Sequence, residues 1–393
     1  MKPDILIVGA GIFGITAALE LHERGWDVTV IDPGPIPHPK AESTDISKVV
    51  RRAYGSDADY TALGEQSAEG WRCWNRDLFG EDLFHPVGVA YLTRSPMQPD
   101  SFEQASYDLL KARGNRVGRL DAAAIQRHYP AFNHIYVDGF VAPDDGFAES
   151  GRVVATLARI AEQRGIALYP GEQAESLIVE GERVVGVRTD TGREFRASET
   201  LTCAGAWTPL LVPEVAPSMR ITGHPVFHLK PEDPDLFKPP NFPVWSDDVA
   251  VSGWYGFPLH PREGVVKIGS HEDGRVLHPA NDPREVIEEE EQALRLFLKE
   301  AIPALADAPI VYTRLCLYCD TLDQHFWIDR APHVDGLTVA TGGSGHAFKF
   351  APLMGGLIAD AMEGKSNPYR AKFAWRDLAP ETMGEEGRRY QRK

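Results

Sequence analysis

The chain has 393 residues, 43% hydrophobic and 25% charged, with a formal net charge of −16. Such a composition belongs to a folded protein with room for two or three cores, and so acidic a chain has no general attraction for nucleic acid or anionic membrane. Its four cysteines, Cys73, Cys203, Cys316 and Cys319, form no disulfide framework, and no stretch reaches the ~18 apolar residues of a membrane span.

The amino end, "MKPDILIVGAG", enters an apolar strand without a charged leader or a small-residue cleavage site. The expectation is a cytoplasmic protein with no nucleic-acid or membrane partner, a monomer or a small homo-oligomer. Ile5 to Val8 has the continuous apolar character of a buried parallel strand. Gly9-x-Gly11-x-x-Gly14 follows directly and opens an amphipathic helix that ends near Gly25. A second apolar run, Val28 to Ile31, then closes on Asp32. Strand, glycine turn, helix, strand and terminal acid are the context in which this spacing signifies dinucleotide binding. Gly9 permits the tight turn, Gly11 lets backbone approach a pyrophosphate, and Gly14 lets helix and sheet pack closely. The N–H groups around Ile12 and Phe13 begin the helix and face the phosphates, and Asp32 can accept from a ribose hydroxyl. The motif alone does not choose between NAD and FAD.

Further along, "GRVVATLARIAEQRG" from residue 151 reads as a helix ended by glycine. Short alternating runs after it predict a small strand meander. A buried strand, Thr200 to Cys203, then ends in Ala204-Gly205-Ala206, small residues suited to a ligand lying against backbone, with Trp207 next. Segment 216–262, rich in proline, aromatics and histidine, suits a mixed sheet. A helix is expected to begin near Pro283, with Glu288 to Glu291 as a solvated face. "TRLCLYCDTLDQHF" (313–326) sets Cys316 three positions before Cys319. A metal site needs two more ligands, and no second CxxC or paired histidine lies near. A dithiol pair wants a thioredoxin-like helix start, which is absent. Finally "LTVATGGSGHAFKFAPLMGGLIADAMEG" repeats strand, glycine turn and helix.

In order along the chain, the N-terminal motif, "STDISKVVRRAYG", "WYGFP", "VVKIGSH", "LCLYCDTLDQHFWID" and "GGSGHAFKF" together resemble the sarcosine oxidase branch of the D-amino-acid oxidase superfamily. That branch includes the N-methyltryptophan, pipecolate and fructosyl-amino-acid oxidases. The resemblance implies an α/β fold: a Rossmann-like FAD-binding domain assembled from three chain segments, with an inserted α+β substrate domain built on a mixed or antiparallel sheet. The expected division is 1–82, 148–216 and 320–393 for the FAD-binding domain, and 83–147 and 217–319 for the substrate domain. It further implies oxidation of an amino acid or secondary amine at the C–H next to nitrogen, with O2 reduced to hydrogen peroxide.

Residue roles carry over on the same terms. Cys316 resembles the cysteine that holds the flavin covalently, and Cys319 is incidental. Lys267 resembles the lysine that activates oxygen, and His271 an active-site histidine. Tyr255 and Tyr318 wall the substrate pocket. Arg51 and Lys349 grip the substrate carboxylate. Lys48, Gly343, Gly345, His346, Phe348 and Lys349 face the flavin, as do Ala204, Gly205 and Trp207 beside the dinucleotide motif of Gly9, Gly11, Ile12, Phe13, Gly14 and Asp32. Lys48 stands where sarcosine oxidases tend to have arginine, which weakens sarcosine as the specific substrate. Arg52 is expected at the surface. Asp247 and Asp248 either meet a cationic substrate or are solvated loop carboxylates. No metal is expected. The competing readings are a dehydrogenase of the same fold that passes electrons to a quinone or protein, an NAD-dependent enzyme, and a flavin-binding protein without catalysis.

Overall fold

The computed structural model describes residues 3–272 and 274–379; the last part of the expected 320–393 segment, from residue 380, lies outside them. Strand Asp4–Val8, helix Ile12–Glu23 and strand Asp27–Asp32 follow the first motif closely. The two strands are parallel neighbours in a six-stranded sheet. Its order is Trp327–Arg330, Leu337–Thr341, Glu199–Thr202, Asp4–Val8, Asp27–Asp32, Ala167–Pro170. Every pairing is parallel except that of the edge strand Trp327–Arg330. The carboxyl ends of five strands therefore share one rim, where ligands of doubly wound sheets bind.

Helices cover this sheet with their apolar faces. Ser150–Gln163 buries Val153, Val154, Leu157 and Ile160. The late helix Ala351–Met362 lies so close to Ile12–Glu23 that a Cβ on Gly355 would stand 2.4 Å from the Thr16 carbonyl oxygen. Arg24 ties the two helices together, reaching Asp360 at 2.9 Å and Glu363 at 2.7 Å. The first and last thirds of the chain are thus one layer.

A second, nine-stranded sheet takes its strands from 89–142 and 219–321. It is mixed, as the composition of 216–262 predicts: Val244–Asp247 runs parallel to Val89–Thr93, and the other pairings are antiparallel. Its longest pair is Met219–Leu229 with Ile310–Thr321, in which Cys316 stands opposite His224 and Tyr318 opposite Thr222. Side chains alternate across a strand, so Arg314, Cys316, Tyr318 and Asp320 share a face while Leu315, Leu317 and Cys319 take the other. Small three-stranded sheets complete the fold, one being the expected meander 174–196.

Two expectations need correction. The acidic helix is Glu288–Ala301, starting five residues after Pro283. Its Glu290 is not part of a solvated face: the carboxylate accepts from the Ile287 N–H at 3.0 Å and from Arg275 at 2.8 Å, fixing the helix start. Arg52 is not at the surface. It is buried, with Nε 2.6 Å from Asp145 and Nη1 2.6 Å from Asn115. A guanidinium is buried only when paired, and a lone arginine in sequence does not reveal its partner.

Candidate active site

The rim of the six-stranded sheet gathers the first set of expected residues. Gly9 has φ +101°, and a Cβ there would lie 2.4 Å from the Cys203 carbonyl oxygen; a Cβ on Gly14 would overlap the Gly9 oxygen. No side chain fits at either position. Gly11 is the N-cap of the helix, with Ser43 Oγ accepting from the Ile12 N–H at 2.9 Å. The side chains of Ile12 and Phe13 pack into the core, so their contribution to the rim is backbone. Asp32 accepts from the Ala10 N–H at 2.8 Å and the Gly34 N–H at 3.2 Å. That is about half the capacity of a carboxylate, leaving the rest for a hydroxyl. Ala204, Gly205 and Trp207 follow the neighbouring strand, and the Arg284 guanidinium stands 5.7 Å over the Trp207 ring.

Between the two sheets lies a cavity of about 680 Å³. Lys48, Arg51, Tyr255, Lys267, His271, Tyr318, Gly345, His346 and Lys349, all expected at the site, line it together. They arrive from four distant stretches of sequence. Gly345 has φ +67°, and a Cβ there would lie 2.3 Å from the Tyr318 ring and 2.9 Å from His271. Tyr318 is held from behind by His224, stacked at 4.1 Å. Burial lowers His224 to about 3, keeping it neutral. Gly343 and Phe348 are not among the cavity-lining residues: Gly343 sits beside Glu42 and Ala347, and the Phe348 ring stacks on Trp71 in the core.

Cys316 is buried, and Lys48 Nζ lies 3.9 Å from its sulfur. Cys319 points the other way, against Met219 and Thr341. Burial pushes the Cys319 thiol up to about 12. The two sulfurs therefore belong to opposite faces of one strand, which removes both the dithiol and the shared-metal readings. Among the described residues no cluster of His, Cys, Asp and Glu could hold a metal ion.

Lys267 is 2% exposed. Its ammonium meets Asp45 at 2.6 Å and donates to the Ser47 carbonyl at 2.6 Å. Burial pushes it down and Asp45 opposes this, leaving it at about 8. Burial would raise Asp45, but Lys267 and His228, 3.3 Å away, hold it well below the usual carboxylate range.

Arg51 and Lys349 converge on Tyr54. The guanidinium carbon stands 4.3 Å over its ring, and Lys349 Nζ donates to its hydroxyl at 3.0 Å. The hydroxyl meets His346 Nδ1 at 3.1 Å, and His346 Nε2 lies 2.9 Å from the Gln324 carbonyl. A carbonyl only accepts, so Nε2 carries a proton and donates it to Gln324. Lys349, Tyr54, His346 and the Gln324 carbonyl thus form one continuous hydrogen-bonded chain. Asp247 and Asp248 do not meet the cavity. Asp247 is fully buried and paired with Arg94 at 2.7 and 3.1 Å, while Asp248 accepts from the Arg94 N–H.

Asp45, Tyr54, His224 and Ser43 were not singled out by the sequence. Asp45, Tyr54 and Ser43 lie inside "STDISKVVRRAYG", where proximity to Lys48 and Arg51 is their only signal. His224 carries none.

The chain matches the model of the FAD dependent oxidoreductase (DAO) family over residues 4–361. Among curated proteins it is similar to the L-saccharopine oxidase of Schizosaccharomyces pombe, 27% identical with 96% of this chain and 94% of that one covered. It is 29% identical to the N-methyl-L-tryptophan oxidase of Citrobacter koseri, covering 94% and 97%, and 26% identical to the monomeric sarcosine oxidase of a Bacillus species, covering 92% and 93%. Among solved structures, the fructosyl amine:oxygen oxidoreductase (Amadoriase I) of Aspergillus fumigatus superposes with a TM-score of 0.82 at 26% identity, covering 97% of this chain and 90% of that one.

Proposed function

The chain belongs to the FAD dependent oxidoreductase family, and from that premise we propose that it is an oxidase of an amino acid or N-alkyl amino acid, releasing an imine and hydrogen peroxide. The observation that carries this reading is one cavity with two cations meeting at Tyr54 on one side and the Lys267–Asp45 pair beside Cys316 on the other. The residues fit FAD: Gly9, Gly11 and Gly14 leave no side chain in the way of a pyrophosphate, Asp32 retains acceptor capacity for a ribose, and Gly345 keeps backbone bare above Tyr318. The six-stranded layer, in the segments 1–82, 148–216 and 320–393, is read as the unit that holds it, and the large sheet as the substrate domain. When bound, the flavin supplies acceptance of a hydride from the carbon next to nitrogen and delivery of two electrons to dioxygen.

The protein's own residues do the rest. Arg51 and Lys349 hold the carboxylate, the arginine through its two-pronged fork, and so fix which C–H faces the cofactor. Among the described residues, four lysines and arginines line the cavity and no carboxylate does. Their field favours loss of a proton from the bound ammonium, which must be neutral to react. Lys267 places a fixed positive charge where dioxygen gains negative charge. Cys316 is the attachment point of a covalent flavin, supported by its burial on the cofactor side and by the Lys48 ammonium beside its sulfur. Free cysteines, and no helix among the described residues long and apolar enough to cross a membrane, support a cytoplasmic enzyme.

The test is anaerobic mixing of the purified yellow protein with a panel of amino acids and N-methyl amino acids, followed by air. Flavin bleaching and then one peroxide per turnover are expected. Bleaching that only a quinone or protein acceptor reverses would replace the oxidase with a dehydrogenase.

A further inference from the structure

We infer that the substrate side chain is large, uncharged and mainly apolar, and that it lies against a wall formed by Val89, Tyr91, Val244 and Phe257. This rests on the oxidase reading above and names the substrate class it leaves open. The cavity's charges are all positive and come from Lys48, Arg51, Lys267 and Lys349. The remaining lining comes chiefly from one face of the large sheet. Val89 pairs with Val244 and Tyr91 with Ser246 in neighbouring strands, so their side chains stand in adjacent rows on the same face. Phe257 continues that face from the end of the next strand. Val89, Tyr91, Val244 and Phe257 belong to one apolar cluster together with Phe102, and Arg51 stands 6.0 Å from the Phe102 ring. A carboxylate held at Arg51 therefore leaves the rest of an amino acid beside this cluster.

A cationic side chain finds no counter-charge there. The two carboxylates next to the wall in sequence, Asp247 and Asp248, are turned from the cavity and engaged by Arg94. An anionic one would be drawn from the wall toward the cations already serving the carboxylate and the cofactor. Size points the same way. The wall spans three neighbouring strands, and an N-methylglycine would leave most of it uncovered.

The experiment has two arms on the wild-type holoenzyme. Calorimetry compares unreactive carboxylates: 3-phenylpropionate, acetate, glutarate and 6-aminohexanoate. Anaerobic flavin reduction compares N-methyl derivatives of phenylalanine, tryptophan and leucine with those of glycine, lysine and glutamate. The phenyl and indole compounds are expected to lead in both arms by about tenfold or more, the scale on which an apolar pocket discriminates. Val244→Asp should then move the preference toward the lysine derivative. Flavin reduction led by glycine, lysine or glutamate derivatives overturns the inference and leaves the oxidase reading standing. If no amino acid reduces the flavin, both fall, and the calorimetric order still reports whether the wall is apolar.

Discussion

Asp45→Asn removes the charge that keeps the Lys267 ammonium protonated in a buried site. Two of that ammonium's three N–H donors are committed, one to Asp45 and one to the Ser47 carbonyl, both at 2.6 Å. The charged groups that face it are Asp45, Lys48, Cys316 and, behind Asp45, His228. Unit charges about 4 Å apart at an effective dielectric near 20 interact by about 4 kcal/mol, and one pH unit corresponds to about 1.4 kcal/mol. Losing Asp45 should therefore lower the Lys267 titration from about 8 by about 2 to 3 pH units, with burial left unopposed. On the role proposed for Lys267, the protonated lysine is the active form. Wild-type reoxidation should fall as pH rises through about 8, and the variant should make the same descent at lower pH. At neutral pH its reoxidation should be slower by about a hundredfold, the usual cost of losing one fixed electrostatic group. The assay is stopped-flow mixing of reduced enzyme with oxygenated buffer across the pH range, beside substrate reduction and a spectral pH titration of the oxidised flavin. An unmoved pH profile, or equal losses in reduction and reoxidation, would refute the reasoning.

Cys316→Ala should yield protein whose flavin leaves on acid precipitation while the wild type retains colour in the pellet; Cys319→Ala should retain it, because that sulfur faces the opposite side of the strand. Arg51→Lys loses the fork and a charged hydrogen bond of about 1.5–3 kcal/mol, so kcat/KM should drop by about tenfold to a hundredfold; an unchanged value removes Arg51 from the carboxylate site. Gly345→Ala forces a side chain into Tyr318 at positive φ, and flavin content of the purified protein should fall. Glu149 is 1% exposed and pairs with His85 at 2.8 Å and Arg262 at 3.0 Å; burial would raise it, but His85 and Arg152 bring it down to about 2 from 4.5. Its stabilisation is complete above pH 4.5 and lost as pH falls toward 2, so the gap in Tm between wild type and Glu149→Gln should be a few degrees at neutral pH and close on acidification. A gap that persists at low pH contradicts this.

What the sequence made legible was local. The turn from Gly9 to Asp32 carries its own steric reasons within one βαβ unit, and the apolar periods of Ser150–Gln163 and Ala351–Met362 announce their helices. The candidate site was legible only where residues sit in quotable motifs. Asp45 matters because folding brings it to Lys267, whose other acceptor, Ser47, is 220 residues away in sequence. Tyr54 matters because three groups converge on it. Arg52 and Asp247 reverse their expected exposure for the same reason: partners at Asp145 and Arg94 that no spacing discloses. Cys319, incidental on the resemblance, is so by geometry too: an odd offset from Cys316 within a strand sends it to the opposite face.

The large sheet runs without interruption from Cys316, through Lys267 and Tyr255, to Val244 and Val89. On the proposed reading, chemistry and selectivity are thus carried on one stiff panel yet several strands apart. Residues on the distant strands can be exchanged without disturbing the geometry in which bonds break. A scaffold arranged this way can change its diet while keeping its reaction, and relatives named for saccharopine, N-methyltryptophan and sarcosine are what such a division of labour would leave behind.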